Sequence, residues 1–332
     1  MSIRVSVYVP GLLPQVKGDF TNHPLSELAL PALHNLLCRA QVLPPQSLSN
    51  LLNTRTLPYA ALRALGEGIE EENAWFLCAD PVHLIADQAT VYLGGQASIS
   101  LNSAEITALA TAIQPLLPET AKFYAPTSEH WYLSFAETID LQTHPLLSTI
   151  GKDIYSYLPF GKEAAPWKRL LTEIQMSLFN HPLNQQRQQQ GQALINSLWF
   201  WGEGCLKDYV PQTTWQAMWG DTPLFQGLAT THHIPYAHFS TLNINKFTTA
   251  GDYLISALAL EHTVKQGQMN LWQQQMQQLD KTVFTVLLSA LLEKDIHTVF
   301  IYDQQKAYKI TRSHLKSWWR RKQRFADLTT SI

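Results

Sequence analysis

IRVSVYVPGLLP, residues 3–14, alternates apolar and polar side chains, is rich in valine and ends in a turn of proline, glycine and leucine. This period of two predicts a strand over residues 3–10, followed by a loop. A second buried strand, IHTVFIYD at residues 296–303, follows a long helical pattern at residues 272–295. A chain that begins with a strand and later places a helix before a buried strand favours a layered α/β fold.

The composition is typical of a folded globular protein with more than one compact part. At 332 residues the chain exceeds the usual single-domain size, which predicts two domains or one core with a large insertion. Hydrophobic residues make up 45% and charged residues 15%, which argues against a disordered chain. The formal net charge of -2 gives no general attraction to nucleic acid or to an anionic membrane, so neither is expected as a partner.

The cysteines and the apolar segments bear on the location of the protein. Cys38, Cys78 and Cys205 are far apart and lack metal-ligand spacing, which argues against a disulfide framework and against a zinc site. No apolar segment reaches the roughly 18 residues that span a bilayer, and the N-terminus lacks a signal-peptide pattern. We therefore expect a cytoplasmic protein. Phosphate-binding and dinucleotide-binding glycine motifs do not occur, so no cofactor is expected.

The middle of the chain is rich in short strand patterns. WFLCA, residues 75–79, predicts a strand with a break at Asp80 and Pro81. A capped helix is predicted at Ser103, and residues 121–136 predict two strands joined by a turn. This mixture is typical of a small α+β insert.

NHPLNQQRQQQGQALINSLWFWGEG, residues 180–204, joins a glutamine-rich segment to an aromatic strand bounded by glycines. The preceding residues, 165–180, predict an amphipathic helix that ends at the proline of this block. An imidazole, an amide and a guanidinium together suit a phosphate or a carboxylate, and the backbone amides of a glycine turn can approach an anion. The candidate ligand-binding residues of the block are His181, Asn184, Arg187, Asn196, Trp201, Gly202 and Gly204.

A purely structural role for the same block is the alternative. His181 and Asn184 would then cap the preceding helix, Arg187 would be solvated, and the block would be a junction between a helix and a strand. At least one tryptophan of the strand is expected in the core. Spacing alone favours this alternative.

ADPVHL, residues 79–84, brings Asp80 and His83 close together in the sequence, as a further candidate ligand-binding pair. Zinc requires three or four ligands and magnesium prefers carboxylates, and nothing nearby in the sequence completes either set. No metal site is therefore predicted, and the alternative for both residues is a structural role.

The tryptophan content bears on protein partners. The 10 tryptophans favour apolar surface patches, which are typical of protein interfaces. KSWWRRKQRF, residues 316–325, is basic and aromatic, which suits local contact with RNA, with a membrane surface or with such a partner. In the alternative, this segment is a terminal helix whose tryptophans pack in the core while its arginines stay in water.

Residues 167–204, together with NAWFLCADPVHL and the N-terminal VPGLLP, resemble the bacterial RpfE-type regulatory proteins, which are often catalogued as phosphoglycerate-mutase-like. More distantly, the chain is similar to archaeal-type cofactor-independent phosphoglycerate mutases of the alkaline phosphatase superfamily, which carry a comparable HPxN, R, G, N and WGxG block. The resemblance implies an alkaline-phosphatase-like layered α/β core with an inserted α+β domain. The core would comprise residues 1–65 and 195–332, and the insert residues 66–194.

The chain departs from those enzymes at the positions that bind metal. They place an aspartate directly after the first strand, where this chain has Pro10 and Gly11, and an Asp-His pair after a late strand, where it has Asp303 and Gln304. Their histidine-rich metal segment and their serine nucleophile have no counterpart here. The resemblance therefore implies a non-catalytic pseudoenzyme: a regulatory or small-ligand-binding protein that takes a small anionic or phosphorylated ligand, or a protein partner.

The competing hypothesis is a divergent metal-dependent phosphoglycerate mutase or phosphatase-type phosphotransferase, because distant residues can converge in space. Its ligands would come from Asp80, His83, Asp252, Glu261 and Asp303.

Overall fold

The computed structural model describes residues 2–14, 28–88, 90–95, 99–212 and 214–316. Residues 317–325 of the basic aromatic segment lie outside this part, so its two interpretations stay predictions. Along the described residues, no helix combines the length and apolar character that a membrane crossing needs.

The strands and helices alternate through much of the chain. The strands are β1 (Ile3–Tyr8), β2 (Gln41–Leu43), β3 (Trp75–Val82), β4 (Leu84–Asp87), β5 (Thr90–Leu93), β6 (Lys122–Tyr124), β7 (Tyr132–Phe135), β8 (Ser197–Cys205), β9 (Trp215–Gly220), β10 (Tyr236–His238), β11 (Gly251–Ser256), β12 (Thr298–Tyr302) and β13 (Ala307–Thr311). The helices are α1 (Pro31–Leu37), α2 (Leu48–Leu51), α3 (Tyr59–Gly66), α4 (Ser103–Ile113), α5 (Leu146–Thr149), α6 (Ala164–Phe179), α7 (Pro182–Gln189), α8 (Pro223–Thr231), α9 (Ala259–Lys265), α10 (Met269–Leu279), α11 (Thr285–Glu293) and α12 (Arg312–Lys316).

The chain folds into two compact units. One comprises Met1–Arg55 with Pro211–Ile332, and is called the sheet unit below; the other comprises Thr56–Val210, and is called the inserted unit. The inserted unit is longer at both ends than the predicted residues 66–194. The reason is that β8 pairs along its length with β3, and that α3 packs on both of these strands.

The sheet unit is built on a seven-stranded sheet in the order β10-β9-β11-β1-β12-β13-β2. The strands from β10 to β12 run parallel, β13 pairs antiparallel with β12, and β2 pairs antiparallel with β13. The first strand predicted from the sequence is therefore central in this sheet. The predicted layered α/β class is confirmed, and the carboxyl ends of the parallel strands share one edge.

Apolar side chains hold helices against the sheet. Val5 and Val7 of β1 are fully buried in a cluster that includes residues of α1, α10 and α11. On β9, α8 packs against the strand and contributes Phe225 to the core. The predicted long helix at residues 272–295 is present, but a π-helical turn, Asp280–Phe284, separates α10 from α11. The carboxylate of Asp280 accepts the backbone N–H groups of Ala32 and Leu33 at the start of α1.

The inserted unit contains a four-stranded antiparallel sheet in the order β6-β7-β3-β8, and a separate hairpin of β4 and β5. α4 and α6 contribute to one apolar cluster and α3 to another. α6 ends before His181, as predicted. The cap of α4 is Asn102 rather than Ser103: its side chain accepts the N–H of Glu105, whose carboxylate accepts the N–H of Asn102.

The predicted break at Asp80 and Pro81 is wrong, because β3 continues to Val82. The N–H of Ala79 points to the β7 side of β3, where it donates to the carbonyl of Trp131 at 2.8 Å. The backbone N–H groups of a strand point to its two sides alternately, so the backbone position of residue 81 faces the same side as that of Ala79. Residue 81 lies beyond the last pair that β3 forms with β7. A proline fits there because, among the described strands, none pairs with that side of β3 at this step and needs the missing N–H group.

Candidate functional site

The polar block at residues 180–204 begins with two side chains that hold local structure. His181 is the N-cap of α7, and its Nδ1 accepts the N–H of Leu183 at 3.2 Å. Asn184 is 3% exposed and donates from Nδ2 to the carbonyls of Leu178 and Ile195, both at 2.8 Å. Its Oδ1 accepts the N–H of Ile195 at 2.9 Å, so the amide ties the end of α6 to the approach to β8.

Arg187 is buried rather than solvated. Its guanidinium donates from Nε to the carbonyl of Ala193 at 2.8 Å and from Nη1 to the carbonyl of Ser100 at 3.1 Å. The same Nη1 lies 2.9 Å from a carboxylate oxygen of Glu105, which also belongs to the capping box of α4. The positive charge of Arg187 is therefore already paired inside the unit, and an anionic ligand would compete with Glu105 for it.

Asn196 and His83 join the start of β8 to the segment after β3. The Oδ1 of Asn196 accepts the N–H of Leu84 at 2.7 Å, and its Nδ2 donates to the carbonyl of Leu84 at 2.8 Å. His83 contacts the carbonyl of Leu194 through Nδ1 at 2.9 Å. His83 and Asp80 are thus neighbours in sequence that have different partners.

Asp80 is the centre of a buried cluster. Its carboxylate accepts two hydrogen bonds from Arg63, at 3.0 and 2.6 Å, one from the backbone of Trp131 and one from Nε1 of Trp201. Arg63 also lies over the ring of Trp201 at 5.3 Å and donates to the hydroxyl of Tyr132. Every oxygen of Asp80 has two partners, which leaves no lone pair directed at a ligand.

Gly202 and Gly204 permit a close approach of α3 to β8. Gly204 has φ +150°, and a Cβ placed on it would lie 2.7 Å from the Cβ of Pro58. Gly202 has φ +71°, and a Cβ there would lie 3.2 Å from the Cβ of Tyr59. Both glycines face the start of α3, so the packing of this helix is one reason for them.

The sequence candidates therefore fall into three groups within the inserted unit. His181 is the N-cap of α7, and Asn184 and Arg187 lie on this helix. His83 and Asn196 connect the start of β8 to the segment after β3, and Asp80 and Trp201 belong to the Arg63 cluster. Ligand binding by these residues stays a prediction, and each of these side chains already forms at least one hydrogen bond within the same unit.

The carboxyl edge of the seven-stranded sheet is a second location to consider, because open α/β sheets bind ligands there. Asp303 follows β12 and is 2% exposed. Its carboxylate accepts the backbone N–H groups of Gly11 at 3.1 Å, Leu13 at 3.3 Å and Gln304 at 2.8 Å. Burial raises the pKa of Asp303 to about 6, although the hydrogen bonds from these N–H groups act to lower it.

Asp221 has the equivalent position after β9. Its two carboxylate oxygens accept the N–H groups of Leu258 and Ala259, each at 3.0 Å, just beyond β11. Burial raises the pKa of Asp221, against the lowering effect of these N–H groups and of His238. Glu261 lies on α9, accepts a hydrogen bond from the amide of Gln304, and has its pKa raised by burial.

These side chains do not fit a two-metal centre of the kind that an alkaline-phosphatase-like fold implies. Pro10 has no side-chain ligand atom, and a Cβ at Gly11 would lie 3.2 Å from the Cα of Glu261 at a φ of +83°. Asp303 and Asp221 hold backbone N–H groups instead of converging. Within the described ranges, no group of three or more His, Cys, Asp and Glu residues is placed to hold a metal ion.

Asp252, another ligand of the competing hypothesis, lies at the opposite edge of the sheet. It stands near the start of β11 and forms an ion pair with Arg4 near the start of β1. Asp303 stands beyond the carboxyl end of β12, so Asp252 and Asp303 cannot share a metal ion in this fold.

Sequence reasoning missed Asp221 and the polar residues beside it. A cleft of about 250 Å³ adjoins Asp221 at the carboxyl edge, where His238, Gln275 and Gln278 also line it. The available signal was the position of Asp221 immediately after the buried strand AMWG, since residues that follow parallel strands meet at one edge.

Known proteins share sequence with part of this chain. The 2,3-bisphosphoglycerate-independent phosphoglycerate mutase of Methanosarcina barkeri is 32% identical over 95 residues, which are 28% of this chain and 24% of that protein. The enzyme of the same name from Methanosarcina mazei is 30% identical over 118 residues, 35% of this chain and 28% of that protein. Part of this chain is a distant homologue of these mutases. The match spans about a quarter of the length of these curated relatives, and no family model matches the chain.

A solved structure shares its fold at low sequence identity. The PH0037 protein from Pyrococcus horikoshii superposes with a TM-score of 0.51 at 12% identity, over 93% of this chain and 87% of that chain. A cofactor-independent phosphoglycerate mutase from Thermoplasma acidophilum DSM 1728 gives a TM-score of 0.41 at 14% identity, over 100% and 95% of the two chains. The architecture is consistent with the alkaline-phosphatase-like α/β fold that the sequence predicts.

Proposed function

We propose that this chain is a non-catalytic regulatory or ligand-binding protein on a scaffold related to the phosphoglycerate mutases. The observation that carries the proposal is that the acidic side chains at the carboxyl edge of the sheet accept hydrogen bonds from backbone N–H groups. Asp303 holds the loop after β1, and Asp221 holds the segment after β11. Both carboxylates act as structural acceptors.

Freeing the carboxylate oxygens of Asp303 for a metal ion costs free energy. A carboxylate that turned to a metal ion would leave the N–H groups of Gly11 and Leu13 without an acceptor, at about 1–3 kcal/mol for each buried group. Two-metal phosphoryl transfer depends on cations that stabilise charge on the attacking and leaving oxygens. Without ligands for these cations, the reaction lacks its main electrostatic stabilisation.

A regulatory role, the type of ligand and the location in the cell are parts of the same proposal. The likeness of residues 167–204 to RpfE-type regulatory proteins supports a regulatory role, and the mutase homology supports a small anionic or phosphorylated ligand. A protein partner is the other mode of regulation, and a cytoplasmic location completes the proposal.

A divergent phosphoglycerate mutase is the second candidate, and the 32% identity to the Methanosarcina barkeri enzyme is the observation that favours it. It requires metal ligands other than Asp80 and Asp252, because the oxygens of Asp80 accept hydrogen bonds from Arg63, Trp131 and Trp201 and because Asp252 is paired with Arg4.

The two candidates differ in metal-dependent turnover. Purified protein is stripped with a chelator, reconstituted separately with Mn²⁺, Mg²⁺, Co²⁺ and Zn²⁺, and assayed for interconversion of 2- and 3-phosphoglycerate and for phosphatase activity. We expect no turnover above that of the stripped protein. Metal-dependent turnover that disappears in Asp303→Asn would overturn the proposal. Calorimetric titration with 3-phosphoglycerate tests the ligand separately, and no heat of binding would remove the phosphorylated ligand while leaving the non-catalytic role.

A further inference from the structure

The cleft of about 250 Å³ in the sheet unit lies beside the ends of β9 and β11 and against α10. Its apolar lining includes Leu260 and Leu279, and its polar lining consists of Asp221, His238, Gln275 and Gln278. At about 30 Å³ for each water molecule, the space holds roughly eight waters or one molecule of monosaccharide size. The cleft therefore suits a small ligand rather than a peptide.

Asp221 provides acceptors in this cleft. Each of its oxygens accepts one backbone N–H group, from Leu258 or from Ala259, and a carboxylate oxygen has a second lone pair for another donor. The polar residues of the lining include no lysine or arginine. A hydroxyl group can donate to Asp221 without bringing a further negative charge to it.

His238 adds a side-chain donor to the lining. Its Nδ1 lies 3.2 Å from the backbone nitrogen of Ser240 and 2.8 Å from the hydroxyl oxygen of the same residue. A backbone N–H can only donate, so Nδ1 is the acceptor and the N–H group of the ring is on Nε2. An oxygen of a ligand in the cleft can accept a hydrogen bond from this N–H group.

The two glutamines add groups that both donate and accept. The amide of Gln275 contacts the hydroxyl of Thr263 at 3.2 Å through one of its two polar atoms, which leaves the second for a ligand. The side chain of Gln278 forms no hydrogen bond with the described residues and is exposed at the cleft. Amides can pair with either function of a hydroxyl group.

This set of groups selects a class of ligand. A phosphate or carboxylate would face the carboxylate of Asp221 in a lining that holds no lysine or arginine, which disfavours an anion. A metal ion would find one carboxylate where it needs several oxygen ligands. Adjacent hydroxyl groups instead can donate to Asp221 while they accept from His238 and from an amide. We propose that the cleft beside Asp221 is a binding site for a neutral polyhydroxylated molecule, up to the size of a monosaccharide.

The site does not depend on the proposed function, because it can exist in a catalytic or a non-catalytic protein. It is tested on the full chain with glycerol, erythritol, xylitol, glucose and myo-inositol as probes, by saturation-transfer NMR and then by calorimetry. Inorganic phosphate and glycerol 3-phosphate are titrated in parallel. We expect at least one polyol to bind more tightly than inorganic phosphate.

The location is tested with a matched pair of substitutions on α10. Gln278→Trp fills the cleft, whereas Gln277→Trp places the same side chain on an exposed neighbouring position outside the lining. We expect Gln278→Trp to weaken polyol binding by about tenfold or more, which corresponds to about 1.4 kcal/mol, and Gln277→Trp to bind as the original chain does.

Asp221→Asn and Gln275→Leu extend the test if Gln278→Trp does not fold, as judged by circular dichroism. Each removes one polar partner while it keeps the size of the side chain, and each is expected to weaken polyol binding. The proposal is overturned if no polyol binds, if these variants bind polyols like the original chain, or if inorganic phosphate binds more tightly than every polyol.

Discussion

Asp80 of the inserted unit and Asp303 of the sheet unit are buried to the same degree, 1% and 2% exposed, yet their environments differ. Asp80 faces a full positive charge on Arg63 and the indole N–H of Trp201. Among the described residues, the hydrogen-bond donors to Asp303 are backbone N–H groups. The negative charge of Asp80 is therefore stabilised by a side-chain cation that a single substitution removes. The carboxylate of Asp303 is stabilised by backbone N–H groups, whose positions depend on the loop after β1.

Removal of one member of the Arg63–Asp80 pair tests the first half of this comparison and has the largest expected effect. Asp80→Ala leaves the guanidinium buried without a counter-charge, and we expect the free energy of unfolding to fall by about 3–5 kcal/mol. Arg63→Met should have an effect of similar size. Urea unfolding followed by tryptophan fluorescence and by circular dichroism measures both changes.

The double variant Arg63→Met/Asp80→Leu is the control for this prediction. It removes both buried charges, so it should recover part of the stability that either single variant loses. If the double variant loses the full sum of the two single losses, the two side chains do not act as a pair.

The dependence of stability on pH tests the second half of the comparison. The pKa of Asp303 is raised from 3.8 to about 6, so between these values the folded protein binds more protons than the unfolded chain. The resulting stabilisation is fully present below the unfolded pKa and is lost as the pH rises through about 6. We expect the difference in unfolding free energy between the original chain and Asp303→Asn to change by up to about 3 kcal/mol between about pH 4 and pH 7.

The Asp303→Asn reference isolates this carboxyl group. Burial also raises the pKa of Asp221, Glu261 and Asp280, and these residues are the same in both proteins. Equal pH profiles for the two proteins would contradict a raised pKa at Asp303.

Asn184 adds a neutral side chain to the comparison of the two buried carboxylates, because its amide also holds backbone groups, in the inserted unit. Its replacement has a smaller expected effect. Asn184→Ala removes the acceptor of the Ile195 N–H group and the donors to two carbonyls, and we expect a loss of about 1–3 kcal/mol. Gln188→Ala, at an exposed position of the same helix, should change stability by less than about 0.5 kcal/mol. Thermal unfolding of both variants checks the contrast, and equal losses would contradict it.

Periodicity was sufficient to predict the elements that decide the fold. The valine alternation of β1, the apolar run of β12 and the leucine spacing of α6 are properties of neighbouring residues, so they can be recognised in the sequence. The continuation of β3 through Pro81 could not be recognised, because it depends on where β7 ends. The π-helical turn after α10 is likewise a property of the folded unit.

The candidate site was harder to predict, for a physical reason. Asn184 and Arg187 have the side chains that a phosphate site needs, but the same donors also satisfy carbonyl groups in a folded unit, and sequence does not show which acceptor is nearer. Arg187 pairs with Glu105, which lies far from it in the sequence. Asp221 and Gln275 are far apart in the sequence, and only the fold brings the end of β9 and α10 to the border of one cleft.

Pro81 has a consequence for the energetics of burying β3. On the β7 side, β3 extends past the end of its pairing with β7, yet Pro81 and Val82 are buried. A buried backbone N–H group without an acceptor costs about 1–3 kcal/mol. Because proline has no N–H group, β3 continues into the interior of the unit at this step without that cost.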